Sequence, residues 1–318
     1  MAEEWELPGA LDGERLDRAV ALLSGASRRE VNDLLDAGKV SIGGRVAVSH
    51  SRRVRTGEIV SLDSPLPSRG QEVPVADAGV DIPVVWSDDQ VIVVDKPAGL
   101  VVHPGSGHRA GTLVHGLVAR FPDLAGLAQA ANVPEARLRP GIVHRLDKGT
   151  SGLLMVARTP EARAGLASQL ARRQVGREYL ALVFGAVDSD AGLIDAPIGR
   201  SDRDPTRMRI QAGGRPARTH YQVEARYDLP VPTTLLRCRL DTGRTHQIRV
   251  HLASIGHPVL GDDRYGGKAV DSGLPLPPGR AFLHAAVLSF DHPVSRQRLS
   301  FSSSLPEDLV GVLDRARR

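Results

Sequence analysis

The segment GIVHRLDKGTSG, residues 141–152, places a His, an Arg, an Asp and a Lys within residues 144–148. A Thr-Ser-Gly turn then leads into an apolar run at residues 153–157, which predicts a buried β-strand. Charged side chains at the entrance of a buried strand form either a solvated turn or a functional site. The rest of the sequence is needed to distinguish these two interpretations.

Composition excludes several classes of protein. The chain has 318 residues, of which 41% are hydrophobic and 25% are charged, as is typical of a globular protein. Its single cysteine, Cys238, excludes an internal disulfide and a cysteine-rich metal site, and it fits a reducing cytosol. The acidic N-terminus lacks a signal-peptide core, and no apolar run approaches the roughly 20 residues that span a membrane. We therefore expect a cytoplasmic protein.

The net charge of +4 is modest, but arginine is concentrated locally. Between residues 200 and 218 the basic side chains are Arg200, Arg203, Arg207, Arg209, Arg215 and Arg218. Only Asp202 and Asp204 oppose them in this stretch. Because a guanidinium can hold two phosphate oxygens at once, the pattern fits nucleic-acid binding as well as a solvated basic face.

The first part of the chain, residues 14–63, predicts two helices, a hairpin and a further strand. Apolar residues recur at helical spacing from Leu16, a capping box at Ser27 begins a second helix, and Gly38 ends it. Apolar residues then alternate around the Gly43-Gly44 pair, which indicates a β-hairpin. Because about 50 residues form a marginal core, a binding module is favoured over an enzyme.

Residues 64–80 contain three prolines among polar residues, which is typical of a linker. Strands outnumber helices in residues 81–318. The predicted strands are 91–94, 153–157, 179–184, 219–225 and 235–240. The predicted helices begin at Thr112, at Thr159-Pro160, near Ile248 and at a cap on Ser304. This pattern favours an α+β domain, with a mixed, largely antiparallel central sheet flanked by helices.

Several common active sites do not fit the sequence. It contains no Walker A motif or dinucleotide fingerprint, Ser151 does not lie in a nucleophile elbow, and His246 and His251 are poorly spaced for one metal ion. Asp147 remains as a candidate. A carboxylate between cations stays ionised and can act as a nucleophile or a base. Taken alone, however, the segment 141–152 favours a purely structural role, in which the Asp147 side chain only caps the turn that follows it.

The order of the surrounding motifs reverses this preference. The motifs are Lys96-Pro97-Ala98-Gly99, His103-Pro104, His144-Arg145-Leu146-Asp147, Arg177-Glu178-Tyr179, TGRTHQIRVH at residues 242–251, Gly256-His257-Pro258, Gly261-Asp262 and Leu283-His284-Ala285. In this order they closely resemble the RluA branch of the pseudouridine synthases, and within it the long members that modify large-subunit ribosomal RNA. The front part likewise resembles the RNA-binding module named after ribosomal small-subunit protein four, through Arg15-Leu16-Asp17, Ser27-Arg28, Gly38-Lys39-Val40 and Gly57-Glu58-Ile59-Val60.

The resemblance implies an RNA-uridine isomerase, with 23S ribosomal RNA or an assembling large subunit as the favoured substrate. It implies that the catalytic residues are Asp147, Tyr179 and Arg249. The implied substrate-binding residues are Arg145, Leu283, His144 and Lys96, of which the last two are expected to brace backbone rather than react. The candidate RNA-binding residues are Arg15, Arg28, Arg29, Lys39, Arg207 and Arg209. Whether Asp147 attacks the sugar or removes a sugar proton stays open.

Detaching uracil and rejoining it through carbon 5 needs no energy source, so we expect no cofactor and no metal. We also expect a monomer. Two alternatives are a non-catalytic RNA-binding ribosome-assembly factor and an aspartate-based hydrolase. The first would not need Asp147, Tyr179 and Arg249 together. The second would need two carboxylates facing one bond, and no second acid is evident near the motifs.

Overall fold

The computed structural model describes residues 3–24, 26, 28–47, 49–63, 74–105, 108–129, 137–204, 206–269 and 272–317. The chain divides into two compact units, Met1–Glu72 (unit 1) and Val73–Arg318 (unit 2). The predicted α+β class is confirmed, since both units combine helices with sheets of mostly antiparallel strands. The predicted limits of the module and the linker stay predictions. Residues 64–73 of that linker lie outside the described residues.

Unit 1 packs two helices on a four-stranded antiparallel sheet of order β1-β4-β2-β3. Its elements are β1 (Glu3–Glu6), a 3-10 helix (Gly9–Leu11), α1 (Leu16–Ser24), α2 (Arg28–Asp36), β2 (Val40–Ile42), β3 (Arg45–Val46) and β4 (Ile59–Leu62). Strand β1 lies upstream of the predicted start of the module at residue 14, yet it pairs with β4, and Leu7 is buried in the same core. The sequence missed β1 because Glu-Glu-Trp-Glu has no apolar alternation.

The predicted hairpin of unit 1 is present, but one side chain lies on the opposite face. Gly43 and Gly44 have φ values of 57° and 76°, the positive values that a two-residue hairpin turn requires. Val46 pairs with Ser41 and is exposed, whereas Ala47 is buried. The apolar alternation therefore shifts by one residue after the turn. The predicted capping residue Ser27 lies outside the described residues.

Unit 2 is built on a nine-stranded sheet of order β5-β6-β7-β14-β8-β13-β12-β9, in which β15 also pairs with β14. Its strands are β5 (Val84–Ser87), β6 (Val91–Lys96), β7 (Ser151–Ala157), β8 (Gly176–Phe184), β9 (Ala191–Asp195), β12 (Arg218–Tyr227), β13 (Thr233–Leu240), β14 (Leu283–Asp291) and β15 (Arg298–Ser302). A separate hairpin joins β10 (Ile198–Arg200) and β11 (Met208–Ile210). The helices are α3 (Leu113–Arg120), α4 (Asp123–Gln129), α5 (Pro160–Ala171), α6 (Gln247–Ser254) and α7 (Glu307–Ala316).

Strand β7 lies at the centre of unit 2 and is buried along its whole length. Leu154 and Val156 face the core that contains α3, whereas Leu153 and Met155 face the core that contains α5. Burial on both faces explains why the sequence shows a continuous apolar run instead of alternation. Strands β7 and β14 form the parallel pair of the described sheet, so the charged segment before β7 lies beside the start of β14.

The ends of the helices agree with the sequence except at α7. Thr112 caps α3 in a capping box with His115, and the Thr159 side chain accepts a 3.1 Å hydrogen bond from Ala162 N. The predicted cap on Ser304 is wrong, because the residue before α7 is Pro306 and no side chain caps the helix. The position of α7 depends instead on its apolar face, which packs in the core with Phe282.

Gly152 allows β7 and β14 to approach closely. Its φ is +112°, and a Cβ atom there would lie 2.4 Å from the carbonyl oxygen of Ala285. We expect Gly152→Ala to lower the free energy of unfolding of unit 2 by about 2–5 kcal/mol, because it adds both backbone strain and a clash. Urea unfolding followed by Trp86 fluorescence, in a Trp5→Phe background that silences unit 1, measures this.

Gly256→Ala is the matched control for this substitution. Gly256 has a φ of +87°, but a Cβ atom there would have no neighbouring atom within 4 Å, so only the backbone cost of about 1 kcal/mol applies. Equal losses in the two variants would contradict the role of the close strand contact.

Candidate active site

A cleft of about 600 Å³ opens in unit 2 where the segment 141–152 meets β8 and the start of α6. Of the seven residues predicted to catalyse the reaction or bind its substrate, six line this cleft, namely Asp147, Tyr179, Arg249, Arg145, Leu283 and His144. Lys96 does not line it and is completely buried. The structure therefore brings together residues that are as many as 139 positions apart, from 144 to 283.

Arg249 is the electrostatic centre of the cleft. Its Nη1 donates a 2.9 Å hydrogen bond to Asp147 Oδ2. Its Nε and Nη2 donate bonds of 2.6 and 2.8 Å to the two oxygens of Asp262, which is 2% exposed. Burial alone would lower the pKa of Arg249, but hydrogen bonds and charge interactions with Asp262 and Asp147 raise it above its ordinary value. Arg249 is thus a fixed cation that orients the Asp147 carboxylate.

The start of α6 supports this arrangement. His246 precedes the helix with a φ of 57°, an uncommon value for a residue other than glycine. Its Nδ1 lies 2.7 Å from the Tyr265 hydroxyl, and its Nε2 lies 3.9 Å from Asp147 Oδ1. The Tyr265 ring in turn lies 5.1 Å from the Arg249 guanidinium. This backbone conformation turns His246 toward Asp147 and away from His251.

His251 has a separate structural environment. Its ring nitrogens lie 2.9 Å from Thr219 Oγ1 and 3.0 Å from the carbonyl oxygen of Ala196. The two histidines therefore do not converge on one point. Among the residues that the structure describes, no group of three His, Cys, Asp or Glu side chains is arranged to hold a metal ion.

Tyr179 and Leu283 form apolar parts of the cleft wall. Tyr179 lies on β8 and is buried, and it pairs in register with Cys238 on one side and Ala285 on the other. Burial raises the pKa of its hydroxyl, so the phenol is neutral at physiological pH. Leu283 is the first residue of β14. The charged Arg145, by contrast, is exposed at the edge of the cleft.

Lys96 and His144 hold backbone in the described structure. The Lys96 ammonium donates to the carbonyl oxygens of Pro97 and Leu100, at 2.8 and 2.9 Å, and burial lowers its pKa to about 7. His144 Nε2 accepts a 3.1 Å hydrogen bond from Met155 N in β7. Burial lowers the pKa of His144 to about 3, so the ring is neutral and can accept this bond.

Arg280, to which the sequence patterns assigned no role, ties the cleft wall together. Its Nη1 donates to the carbonyl oxygens of Gly149 at 2.7 Å and Leu283 at 3.3 Å, and its Nη2 donates to Ser151 Oγ at 2.9 Å. Its Nε forms an ion pair of 2.6 Å with Asp308 on α7. No local pattern around Arg280 indicates these partners. Asp262 belongs to the Gly261-Asp262 motif of the sequence. Its position directly after a glycine was the signal that could have identified it as a site residue.

The candidate RNA-binding residues have different environments. Arg207 and Arg209 lie on the β10–β11 hairpin and pair with Asp204 and Asp202, and all four side chains are exposed. In unit 1, Arg15 is bound at both carboxylate oxygens of Asp17, and Lys39 follows α2. Arg28 and Arg29 begin α2, but their side chains lie outside the described part of the structure.

Comparisons with known proteins identify the family of this chain. The sequence profile of the RNA pseudouridylate synthase family matches residues 90–254, and that of the S4 domain matches residues 14–60. An uncharacterized RNA pseudouridine synthase of Bacillus subtilis, YlyB, is 41% identical over 96% of this chain and 95% of its own length. The ribosomal large subunit pseudouridine synthase D of Nitrosomonas europaea is 43% identical over 99% of this chain and 88% of its own length.

A solved structure, human RNA pseudouridylate synthase domain containing 1, has a TM-score of 0.56 and 26% identity, covering 73% of this chain and 88% of that one. The chain therefore belongs to the RNA pseudouridine synthases, the isomerases that convert uridine in RNA to pseudouridine, and it carries an S4 domain at its front. The predicted family and enzyme class are confirmed. Within the described residues, no helix is long and apolar enough to cross a membrane.

The buried neutral state of His144 makes stability depend on pH. Between about pH 3 and its ordinary pKa of 6.5, His144 binds a proton in the unfolded chain but not in the folded protein. Acidification through this window therefore favours unfolding. His144→Gln removes this titration and keeps a side-chain acceptor for Met155 N. As the pH falls below 6.5, we expect wild type to lose stability relative to this variant, by up to about 1.4 kcal/mol per pH unit.

Urea unfolding of unit 2 at about pH 7 and about pH 5 checks this dependence. His108→Gln, at an exposed position, is the control and should follow the wild-type profile. Parallel pH profiles for wild type and His144→Gln would show that His144 is not the group responsible.

Proposed function

We propose that this enzyme isomerises uridines of large-subunit ribosomal RNA, the 23S RNA, with Asp147 as its catalytic carboxylate. The observation that carries the catalytic assignment is the Asp147–Arg249 pair in the cleft. Among the described residues that line the cleft, Asp147 is the single acid. The choice of RNA follows relatives named for the large ribosomal subunit, such as that of Nitrosomonas europaea. A hydrolase with two opposed carboxylates does not fit this lining.

The proposed reaction begins with a uridine that leaves the RNA stack and enters the cleft. Flipping the base costs a few kcal/mol, which arginine contacts to phosphates offset. The uracil lies against the Tyr179 ring and Leu283, and Arg145 at the edge holds the displaced nucleotide. The Asp147 carboxylate then faces the sugar and the glycosidic bond while the bond from the sugar to N1 breaks, uracil turns and a bond from the sugar to carbon 5 forms. The proton of carbon 5 leaves by way of the Tyr179 hydroxyl and N1 takes up a proton, so the product is an isomer of the substrate.

Asp262 is a positioning residue in this proposal. It does not line the cleft, but its two hydrogen bonds fix the plane of the Arg249 guanidinium. With that plane fixed, Nη1 of Arg249 directs one oxygen of Asp147 and leaves the other oxygen, Oδ1, for the substrate. Such a fixed donor acts without reorganisation during the reaction.

RNA outside the cleft is bound by two basic surfaces in this proposal. The first is the β10–β11 hairpin with Arg207 and Arg209. Their ion pairs with Asp204 and Asp202 are exposed and therefore weak, so a phosphate can replace the carboxylates. The second is the S4 domain, whose candidate contacts are Arg15, Arg28, Arg29 and Lys39.

We further propose that the enzyme works as a cytoplasmic monomer without a cofactor or a metal. The reaction moves the attachment of the ribose from N1 to carbon 5 of the uracil within one nucleotide, so it requires no external group donor or oxidant. The site residues named above supply a carboxylate, a fixed cation and an aromatic face.

Asp147→Asn should abolish isomerisation while folding and RNA binding persist, because the amide keeps the shape of the carboxylate and its hydrogen bond from Arg249. A pseudouridine map of ribosomal and transfer RNA, from cells with wild type, with the deletion and with Asp147→Asn alone, measures this. Loss of the same sites of 23S RNA in both mutants is expected. An unchanged map would instead favour a non-catalytic ribosome-assembly factor, and lost sites confined to transfer RNA would refute the proposed substrate.

Tyr179→Phe should reduce the rate of the chemical step more than RNA affinity, because the ring that contacts uracil stays and only the hydroxyl is lost. Single-turnover kinetics give the rate, and a binding titration gives the affinity. We expect a rate loss of about 100-fold or more, in the range of a lost proton-transfer group. An equal loss in both quantities would contradict a chemical role for the hydroxyl.

A further inference from the structure

Arg177 is a buried arginine that lines the cleft. It lies on β8 two residues before Tyr179, so both side chains point from the same face of the strand. Both line the cleft, and each is 6% exposed. Arg177 therefore lies beside the proposed position of the uracil.

The Arg177 guanidinium has no hydrogen-bond or ion-pair partner within the described residues. Its Nε atom is buried and forms no hydrogen bond, and no carboxylate of the described chain forms an ion pair with it. The acidic groups that act on its charge are the Tyr179 hydroxyl and then Asp241, whose own oxygens contact His220 at 3.1 Å and Arg239 at 3.4 Å. An unpaired buried charge destabilises a folded protein by several kcal/mol, so this arrangement needs an explanation.

Arg280 shows how this fold satisfies an arginine that serves only structure. Arg280 is 3% exposed, and it donates to the carbonyl oxygens of Gly149 and Leu283 as well as to Asp308. Arg177 is buried to a similar degree without any of these contacts. Its donors are therefore available to a group that the protein itself does not contain.

The surroundings of Arg177 are shaped to leave the guanidinium accessible from the cleft. A Cβ atom on Gly243 would lie 2.6 Å from Arg177 Nη1, so glycine at this position makes room for the guanidinium. The cleft is also strongly basic. Its arginines are Arg139, Arg145, Arg177, Arg215, Arg244 and Arg249, against the single acid Asp147 among the described lining residues. Such a cleft attracts anions.

We propose that Arg177 is the phosphate receptor of the cleft, and that it binds an oxygen of the phosphodiester next to the target uridine. In RNA the anionic groups are the phosphodiesters, and guanidinium is the side chain that holds two phosphate oxygens at once. Alternate residues of a strand are about 7 Å apart, a span that one nucleotide covers between its base and its phosphate. The inference rests on the proposed position of uracil against Tyr179.

A mononucleotide comparison tests this contact without knowledge of the natural RNA site. Uridine, uridine 5′-monophosphate and uridine 3′-monophosphate are titrated into the full-length wild type and into Arg177→Met, Arg177→Lys and the control Arg163→Met. Arg163 is exposed on α5 and does not line the cleft. One of the two monophosphates should bind wild type about 10- to 100-fold more tightly than uridine does.

This tighter binding of the monophosphate should vanish in Arg177→Met and persist in Arg163→Met. It should be reduced in Arg177→Lys, because lysine lacks the planar guanidinium that holds two phosphate oxygens at once. Three outcomes would overturn the proposal. The first is a wild type that gives the phosphate no advantage. The second is an equal advantage in Arg177→Met. The third is an equal loss of uridine and monophosphate affinity in that variant, which would mean that Arg177 holds the base.

Two further measurements separate this role from a structural one. Since Arg177→Met removes an unpaired buried charge, its melting temperature should equal or exceed that of wild type, and a marked fall would indicate a structural arginine instead. With RNA as substrate, KM should rise while kcat stays close to wild type, and an unchanged KM would count against the proposal. If wild type fails to convert 23S RNA but discriminates between mononucleotides as expected, the proposed substrate fails and the Arg177 contact stands.

Discussion

The guanidinium of Arg249 lies between two carboxylates from distant parts of the chain, and the geometry of the cleft in unit 2 depends on this bridge. Asp147 comes from the turn before β7, and Asp262 comes from the loop after α6. Removing three charges from water carries a desolvation penalty, and three hydrogen bonds of normal length offset it. Because Arg249 binds both carboxylates at once, a shift of either segment would break part of the bridge and leave a charge without its partner.

Close backbone packing holds the same segments from behind. A Cβ atom on Gly149 would lie 2.2 Å from the carbonyl oxygen of Gly279, and one on Gly261 would lie 2.1 Å from that of Arg280. Arg280 then crosses this junction with its side chain and binds Gly149 and Ser151. The glycines thus allow the close approach of the two segments, and Arg280 fixes the turn that follows Asp147.

Much of this architecture follows from local patterns in the sequence. The run at residues 153–157 predicted β7, Thr112 and Thr159 predicted helix starts, and Gly43-Gly44 predicted the hairpin turn, because each signal depends on neighbouring residues. The partners of Asp262 and Arg280 could not be predicted in the same way. Arg280 contacts Gly149 across 131 residues, and nothing in its neighbourhood distinguishes it from a surface arginine. The family resemblance supplied the Asp147–Arg249 pair, whereas periodicity could not.

Three arginines of the catalytic unit, Arg177, Arg249 and Arg280, differ in which groups bind their guanidinium, and this difference distinguishes a structural arginine from one that serves function. Arg280 is bound entirely by the protein, and Arg249 is bound by Asp262 and Asp147. Arg177 is bound by no described residue. A fold selected for stability alone would pair or remove such a charge, because natural proteins retain costly groups where binding or catalysis requires them. An unsatisfied buried donor in a basic cleft is therefore evidence for a ligand, and it is stronger evidence than the exposed arginines of the β10–β11 hairpin, for which water is an adequate partner.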